Sequence, residues 1–504
     1  MLQALTGRLR AVPPIRLAVF LLAVVTVFRF WFSTRMQLVG DEAYYWLWSK
    51  HLAASYRDKG PAIAWTIALG TKIFGDNSFG IRFFAVVCST AIGWLLFVLA
   101  RRLYDERTAL WCLFMALLMP IMAVGAILMT IDSLSVLSWA LAALLFWKAL
   151  QRDKLLDWVW IGLVIGLGFL AKFTNGVQLA CIGLFLLWSP GHRRLLFSGK
   201  FVAMNATFAL SIVPLIWWNV QTGWVHVMAL HSRSGVQNSF GIHPVELFEF
   251  IGEVFGVVSP LFMTGVVVAA VGLWWTHGAD LRTRFLLSQS LPLYALFLFF
   301  SLNKAGKANW IAPALFTSII FTVVYWREVM ANRRGWRWVG GTAFWVAGIM
   351  TLVMHNTDYL HLPPKLNPLR RAQGWDDFAR HVQEARIKYR ANLLIGEHYM
   401  DASLMTFYLP DRPKTFLLPE AYGASQFSLW PGYQRDANTR ALFVCNAEAP
   451  LPPTLSSEFR KVTLVDQFWS LHKGRPMSEF QIYLGTSDEP NSSRPVETLP
   501  RTLP

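Results

Sequence analysis

Two acidic residues stand side by side, Asp41 and Glu42, in the stretch Gly40-Asp41-Glu42-Ala43-Tyr44-Tyr45, directly after the first long apolar run. Adjacent carboxylates at a membrane surface are costly unless solvated or paired. Read blandly, they form the acidic first turn of a helix, where the backbone dipole favours negative charge. Further on, Tyr56-Arg57-Asp58-Lys59-Gly60-Pro61 places two cations in sequence reach of a phosphate or of lipid headgroups. A third acid, Asp132, lies in Ala126-Ile127-Leu128-Met129-Thr130-Ile131-Asp132-Ser133, surrounded by apolar residues. A lone carboxylate in that setting marks either a functional cavity or a structural ion pair with a lysine such as Lys172.

The elements that must position these groups are set by hydropathy. Only 15% of the 504 residues are charged, against about 25% in an ordinary soluble domain, so lipid solvates most of the chain. Apolar runs long enough to cross about 30 Å of hydrocarbon occur near 15–33, 80–100, 108–124, 133–150, 156–171, 176–189, 200–217, 250–275, 284–301, 308–326 and 337–354. The basic start followed by residues 17–32 lacks a small-residue cleavage site and reads as an uncleaved first helix. Alternate loops carry the positive charge, among them Arg101, Arg102, Arg193, Arg194, Arg333 and Arg334. That bias puts the N-terminus in the cytoplasm and the acid-bearing loops on the other side. The net charge of +16 is thereby explained by topology, and nucleic acid is not an expected partner. Residues 62–74 form an amphipathic run too short to span, suited to an interfacial helix.

From residue 355 the composition becomes that of a soluble chain. A proline-rich linker, 361–368, precedes Trp375, Phe378, Val382, Ala385 and Tyr389, which recur at helical spacing. Short apolar runs at 393–395, 441–444, 462–465 and 480–484 read as strands. The expected organisation is therefore an all-α polytopic membrane domain of about eleven helices over 1–354, with interfacial helices in its first outer loop. A small extracytoplasmic α/β domain follows over 355–485, then a disordered tail over 486–504. The four cysteines show no disulfide or zinc spacing. His226, His231 and His243, in the large fourth outer loop, match no strong metal motif and read as polar surface.

Taken in order, Asp41-Glu42, the segment Asp58-Lys59-Gly60-Pro61 and Met129-Thr130-Ile131-Asp132 resemble the GT-C glycosyltransferases. The branch is that of the bacterial protein O-mannosyltransferase and lipid A aminoarabinose transferase relatives. Gly168-Phe169-Leu170-Ala171-Lys172, Pro214-Leu215-Ile216-Trp217-Trp218-Asn219 and Lys307-Ala308-Asn309-Trp310 are similar as well. This chain has Gly60 where a second proline is frequent in that branch.

The resemblance implies the GT-C fold, a polyprenyl-phosphate-linked sugar as donor and an inverting transfer at the extracytoplasmic face of the inner membrane. Nucleotide sugars are unavailable there, so a lipid-carried donor is needed on general grounds too. On this reading Asp41 is the general base that takes the acceptor hydroxyl's proton. Asp132 orients the acceptor or a cation, and Glu42 does the same or binds a divalent metal. Lys59 grips the leaving phosphate, with Arg57, Lys172, Arg233, Lys304 and Lys307 as alternatives. No resident metal is assigned, a divalent ion remaining possible through Glu42. The acids at 41 and 132 are expected to face one cavity beyond the outer leaflet. The acceptor is an envelope glycolipid such as lipid A or the lipopolysaccharide core, with a protein acceptor as the near alternative. A polytopic lipid or sugar transporter is the contrary class; it predicts charges near the bilayer midplane and broken helices in paired positions.

Overall fold

The computed structural model describes residues 12–233, 241–419 and 425–487, and the chain divides into two compact units. The first comprises Met1–Ser33, Lys59–Trp217 and Leu230–His355; the second comprises Thr34–Asp58, Trp218–Ala229 and Asn356–Pro504. The expected tail lies almost wholly beyond residue 487, outside the described residues.

Among the described residues, seven helices of the first unit are long and apolar enough to cross a bilayer: Pro14–Ser33, Ser78–Leu103, Ile131–Arg152, Pro260–His277, Leu281–Ser301, Ala308–Asn332 and Trp336–His355. A pair bent by 43°, Gly199–Ser211 with Val213–Gln221, makes an eighth if counted as one span. This is a multi-pass membrane protein. Helix starts follow capping chemistry. Asn77 Oδ1 accepts from Gly80 N at 2.9 Å and Asp105 Oδ1 from Thr108 N at 2.8 Å, each satisfying an orphan first-turn donor.

Four runs expected to be single spans are each two helices: 200–217 is Gly199–Ser211 and Val213–Gln221, 284–301 is Leu281–Ser288 and Leu291–Ser301, and the other two break at a proline. Residues 108–124 divide into Glu106–Leu118 and Pro120–Gly125, and residues 250–275 into Pro244–Val258 and Pro260–His277. Both breaks fall before a proline, whose ring bars the preceding residue from helical geometry. Met119 is accordingly extended, and Ser259 sits at φ +90°. Residues 62–74 do form a helix, Ala62–Phe74, with Ile63, Ala64 and Ile67 buried while Trp65, Leu69 and Ile73 are exposed. Inside the unit, Phe146 meets Phe185 and Trp158 edge-on at 5.3 and 5.9 Å, and Trp147 meets Phe285 at 5.1 Å. Lipid is as apolar as these rings, so close packing rather than water exclusion holds the helices together.

The second unit is built on a five-stranded sheet in the order β2-β1-β3-β5-β4: β1 Leu393–Gly396, β2 Phe416–Leu417, β3 Arg440–Asn446, β4 Lys461–His472 and β5 Arg475–Thr486. The first three strands are parallel, and β5 turns antiparallel to β3. All four residues of β1 are buried, as a central parallel strand requires. The β4–β5 hairpin closes on Lys473-Gly474, both at positive φ, the two-residue turn whose twist matches the flanking strands. The helix expected from its spacing runs Trp375–Lys388 and buries Phe378, Val382 and Ala385, its Phe378 lying 4.6 Å from Phe480 of β5. To this sheet the fold adds residues from the segment that follows the first long helix, including the helix Gly40–Ser49.

Candidate functional site

In the first unit the site is built around Asp132. Thr130 caps the helix Ile131–Arg152 and leaves Asp132 on its first turn. The next helix, Leu155–Ala171, ends where Lys172 becomes extended and a 3-10 turn, Phe173–Gly176, begins. Buried Asn175 locks that turn in place. Its Oδ1 accepts from Ser135 Oγ at 2.5 Å and its Nδ2 donates to the Ser135 carbonyl at 3.0 Å. Lys172 Nζ consequently reaches Asp132 Oδ1 at 2.7 Å. Asn309 Nδ2 donates to the other oxygen, Oδ2, also at 2.7 Å. The ion pair is largely buried, with side-chain exposures of 9% for Lys172 and 18% for Asp132. The structural pairing that the sequence allowed is thus present, and it occupies the Lys172 ammonium.

The loop that delivers Asn309 is itself held by two glutamates of the helix Pro244–Val258. Glu246 Oε2 accepts from Ala305 N at 2.7 Å, and Glu253 Oε2 from Ala308 N at 3.4 Å. Glu253 also pairs with Lys307 at 3.5 Å. A cavity of about 470 Å³ is lined by Asp132, Glu253, Lys307 and Asn309 together with apolar residues that include Leu96 and Phe316. Arg29 lines it too and is nearly buried, donating to Ser89 Oγ at 3.3 Å. Lys304 is exposed on the loop, and Lys59 is half-buried. Gly60, beside Lys59, packs so tightly that a Cβ there would lie 2.0 Å from the Leu170 carbonyl oxygen. Only glycine fits this backbone crossing, which accounts for the missing proline.

In the second unit, Asp41 and Glu42 open the helix Gly40–Ser49. Glu42 is fully buried, and its Oε2 accepts from Val39 N at 3.2 Å, satisfying one of the helix's orphan donors. Asp41 is half-buried, and its Oδ1 accepts from Tyr399 Oη at 3.4 Å. Tyr44 donates to Asp58 Oδ2 at 3.0 Å and accepts from Gln426 N at 2.6 Å. Burial, then the charge of Asp58, pushes the Tyr44 hydroxyl well above its ordinary range, so it stays a donor. Arg57 is fixed through its backbone, N to Gln426 Oε1 at 2.7 Å.

The arrangement therefore brings together Asp132, Lys172 and Lys307 from the expected set, and seats Asp41, Glu42 and Arg57 in the other unit. Arg233 ends the helix Val225–Arg233, and its side chain lies outside what the structure describes. Of the loop histidines, His226 is buried rather than surface, with Nδ1 2.6 Å from the Tyr56 carbonyl. Among the described residues no three of His, Cys, Asp and Glu converge as a metal site. Asn309 belonged to a similar motif but had no assigned task. Tyr399, Glu253 and Arg29 gave no local signal at all.

Comparison with known proteins agrees with this architecture. A family model described as dolichyl-phosphate-mannose-protein mannosyltransferase matches residues 58–218. The lipid A galacturonosyltransferase of Rhizobium johnstonii is 24% identical over 427 residues, 81% of this chain and 87% of that protein. The undecaprenyl phosphate-α-4-amino-4-deoxy-L-arabinose arabinosyl transferase of Pseudomonas aeruginosa is 29% identical over 302 residues, 56% of this chain. There the match spans only about half the relative, 51% of its length. The crystal structure of ArnT from Cupriavidus metallidurans, bound to undecaprenyl phosphate, superposes with a TM-score of 0.64 at 16% identity, covering 92% of this chain and 97% of that one. The chain therefore shares the fold of that structure over nearly its whole length, and it matches the family model across the segment that holds Lys59, Asp132 and Lys172.

Proposed function

We propose that this protein is an inverting glycosyltransferase that moves a monosaccharide from a polyprenyl-phosphate donor to lipid A or the lipopolysaccharide core. The observation that carries the reading is the first unit's cavity, lined mostly by apolar residues with charge supplied by Arg29, Asp132, Glu253 and Lys307. That combination suits a ligand with an isoprenoid tail and a phosphate head. The names of the relatives agree, one being a lipid A transferase and the other a transferase for an undecaprenyl-phosphate-linked sugar.

In the proposed reaction, Asp41 takes the proton of an acceptor hydroxyl as its oxygen attacks C1 of the sugar. The C1–O bond to the lipid phosphate breaks on the opposite face, and its electron pair leaves with the phosphate. Inversion follows from that geometry. Lys59 is the first choice to hold the growing phosphate charge, with Arg57, Arg233, Lys304 and Lys307 in support. Lys172, engaged by Asp132, serves to fix that acid instead. Glu42 sets the helix turn that presents Asp41, and no step runs through a metal ion. Eleven spans with a cytoplasmic N-terminus and a periplasmic C-terminal sheet domain complete the proposal. The alternating basic loops support that orientation.

The test is mass spectrometry of envelope lipids and glycoproteins from cells with the gene, without it, and with Asp41→Asn at equal membrane level. A single sugar-sized mass on a lipid A or core species is expected with the wild type only. Loss of a general base lowers transfer by about 10²–10⁴-fold. The same mass on a protein would move the acceptor to the protein class. A fully active, inserted Asp41→Asn would remove Asp41 from the role of base.

A further inference from the structure

The second unit joins segments far apart in the chain, and one of them comes up against Asp41. The helix Tyr399–Tyr408 lies along the helix Gly40–Ser49, and four side chains of the former register the two. Met400 fills the space beside Gly40 so closely that a Cβ on that glycine would sit 2.5 Å from the Met400 Cβ. The Phe407 ring meets Trp46 edge-on at 5.0 Å. Tyr408 Oη accepts from Leu38 N at 2.7 Å, fixing the backbone just before the helix starts. Tyr399 places its ring 4.3 Å from that of Tyr44 and its hydroxyl 3.4 Å from Asp41 Oδ1. Tyr44 is in turn anchored on both sides of its own hydroxyl by Asp58 and Gln426. The ring of Tyr399 is thus held by a partner that cannot move, and its one polar atom is directed at the carboxylate.

We infer that Tyr399 is a positioning residue for Asp41, so that a helix from the C-terminal part of the chain orients the catalytic carboxylate. The inference rests on Asp41 acting as the base. The hydroxyl has one proton to donate and no charge to neutralise, so its task is to select one rotamer of the Asp41 carboxylate. Oδ1 is engaged by Tyr399, which orients the carboxylate for proton transfer. The distance, long for a hydroxyl–carboxylate bond, suits a contact that tightens when substrates close the site.

The test uses full-length protein in detergent, added to a total lipid extract from cells lacking the gene. That extract supplies donor and acceptor together, and transfer is followed by mass spectrometry from pH 5 to 8. Tyr399→Phe keeps the ring and loses only the hydroxyl. Donation to the carboxylate favours its charged form, so losing it raises the pKa of Asp41. The acid limb of the rate should then move up by about one pH unit. The plateau rate should fall about tenfold, the worth of one hydrogen bond to a charged group. Titratable neighbours on the packed elements are Glu42, Asp58, Glu397, His398 and Asp401, all untouched by the substitution. Tyr399→Leu, which also removes the ring, should show the same limb shift with a lower melting temperature. A Tyr399→Phe protein with wild-type rate and limb overturns the inference. So does a Leu variant whose loss tracks melting alone while the limb stays put. Asp41→Asn, run alongside, separates the two ideas. Full activity there refutes the base assignment, whereas a dead Asp41→Asn beside a normal Tyr399→Phe refutes only the role of Tyr399.

Discussion

Replacing Lys172 by methionine isolates the ion pair from everything else in the first unit. The side chain keeps its length and loses only the ammonium that stands 2.7 Å from Asp132 Oδ1. Breaking a buried pair on one side costs about 3–5 kcal/mol, because a desolvated charge is left behind. Two features pull the figure toward the low end. Asp132 keeps its bond from Asn309 at 2.7 Å, and the acid is 18% exposed, so water can reach it. We therefore expect Lys172→Met to destabilise the protein by about 3 kcal/mol. Asp132→Leu should cost a similar amount by stranding the lysine. The two together should return to within about 1 kcal/mol of wild type, since a well-packed apolar pair often replaces an ionic one without loss. All three proteins should lose transfer activity. Equilibrium unfolding in mixed micelles, followed through the fluorescence of the 24 tryptophans, gives each free energy. Single variants costing under about 1 kcal/mol, or a double variant as unstable as the singles summed, would refute a desolvated pair.

Gly60→Ala forces a Cβ to within 2.0 Å of the Leu170 carbonyl oxygen. It should cost about 1–3 kcal/mol in the same unfolding assay and lower activity by displacing Lys59. In the second unit, Asp401 is pushed up to about 7, first by burial and then by the charge of Glu397. A carboxyl raised above its unfolded value of 3.8 stabilises fully below that pH, and the contribution drains away as pH climbs through 7. Asp401→Asn should consequently add about 2 kcal/mol at pH 8 and reduce the fall in melting temperature between about pH 4 and 7. Below pH 6.5, His51, His398 and His472 act in the opposite sense, because burial lowers the pKa of each.

What could be read along the chain was whatever has a local signature. The apolar runs, the helix built on Phe378, Val382 and Ala385, and the pairing of Asp132 with a lysine such as Lys172 all announce themselves by spacing or by charge in an apolar setting. Pro120 and Pro260 carried a signal too, yet hydropathy averaged over a window hides a break of one residue. The short edge strand Phe416–Leu417 has too few residues to show an alternation. Contacts across the chain left no trace at all. Tyr399 lies 358 positions from Asp41, and nothing in the type or spacing of either residue names the other. For the same reason a linear division at 354 could not show that residues 34–58 fold with the C-terminal sheet.

The two central acids are not equivalent, and their surroundings say how the labour divides. Both oxygens of Asp132 are held at 2.7 Å, one by an ammonium and one by an amide. Those two donors fix both carboxylate oxygens in place. An acid so bound is suited to fixing geometry and field. Asp41 accepts a hydrogen bond from the Tyr399 phenol at 3.4 Å, and a neutral donor of that kind orients a carboxylate without adding charge to it. The proposed mechanism accordingly assigns proton transfer to the acid beside the tyrosine and electrostatic support to the acid beside the lysine.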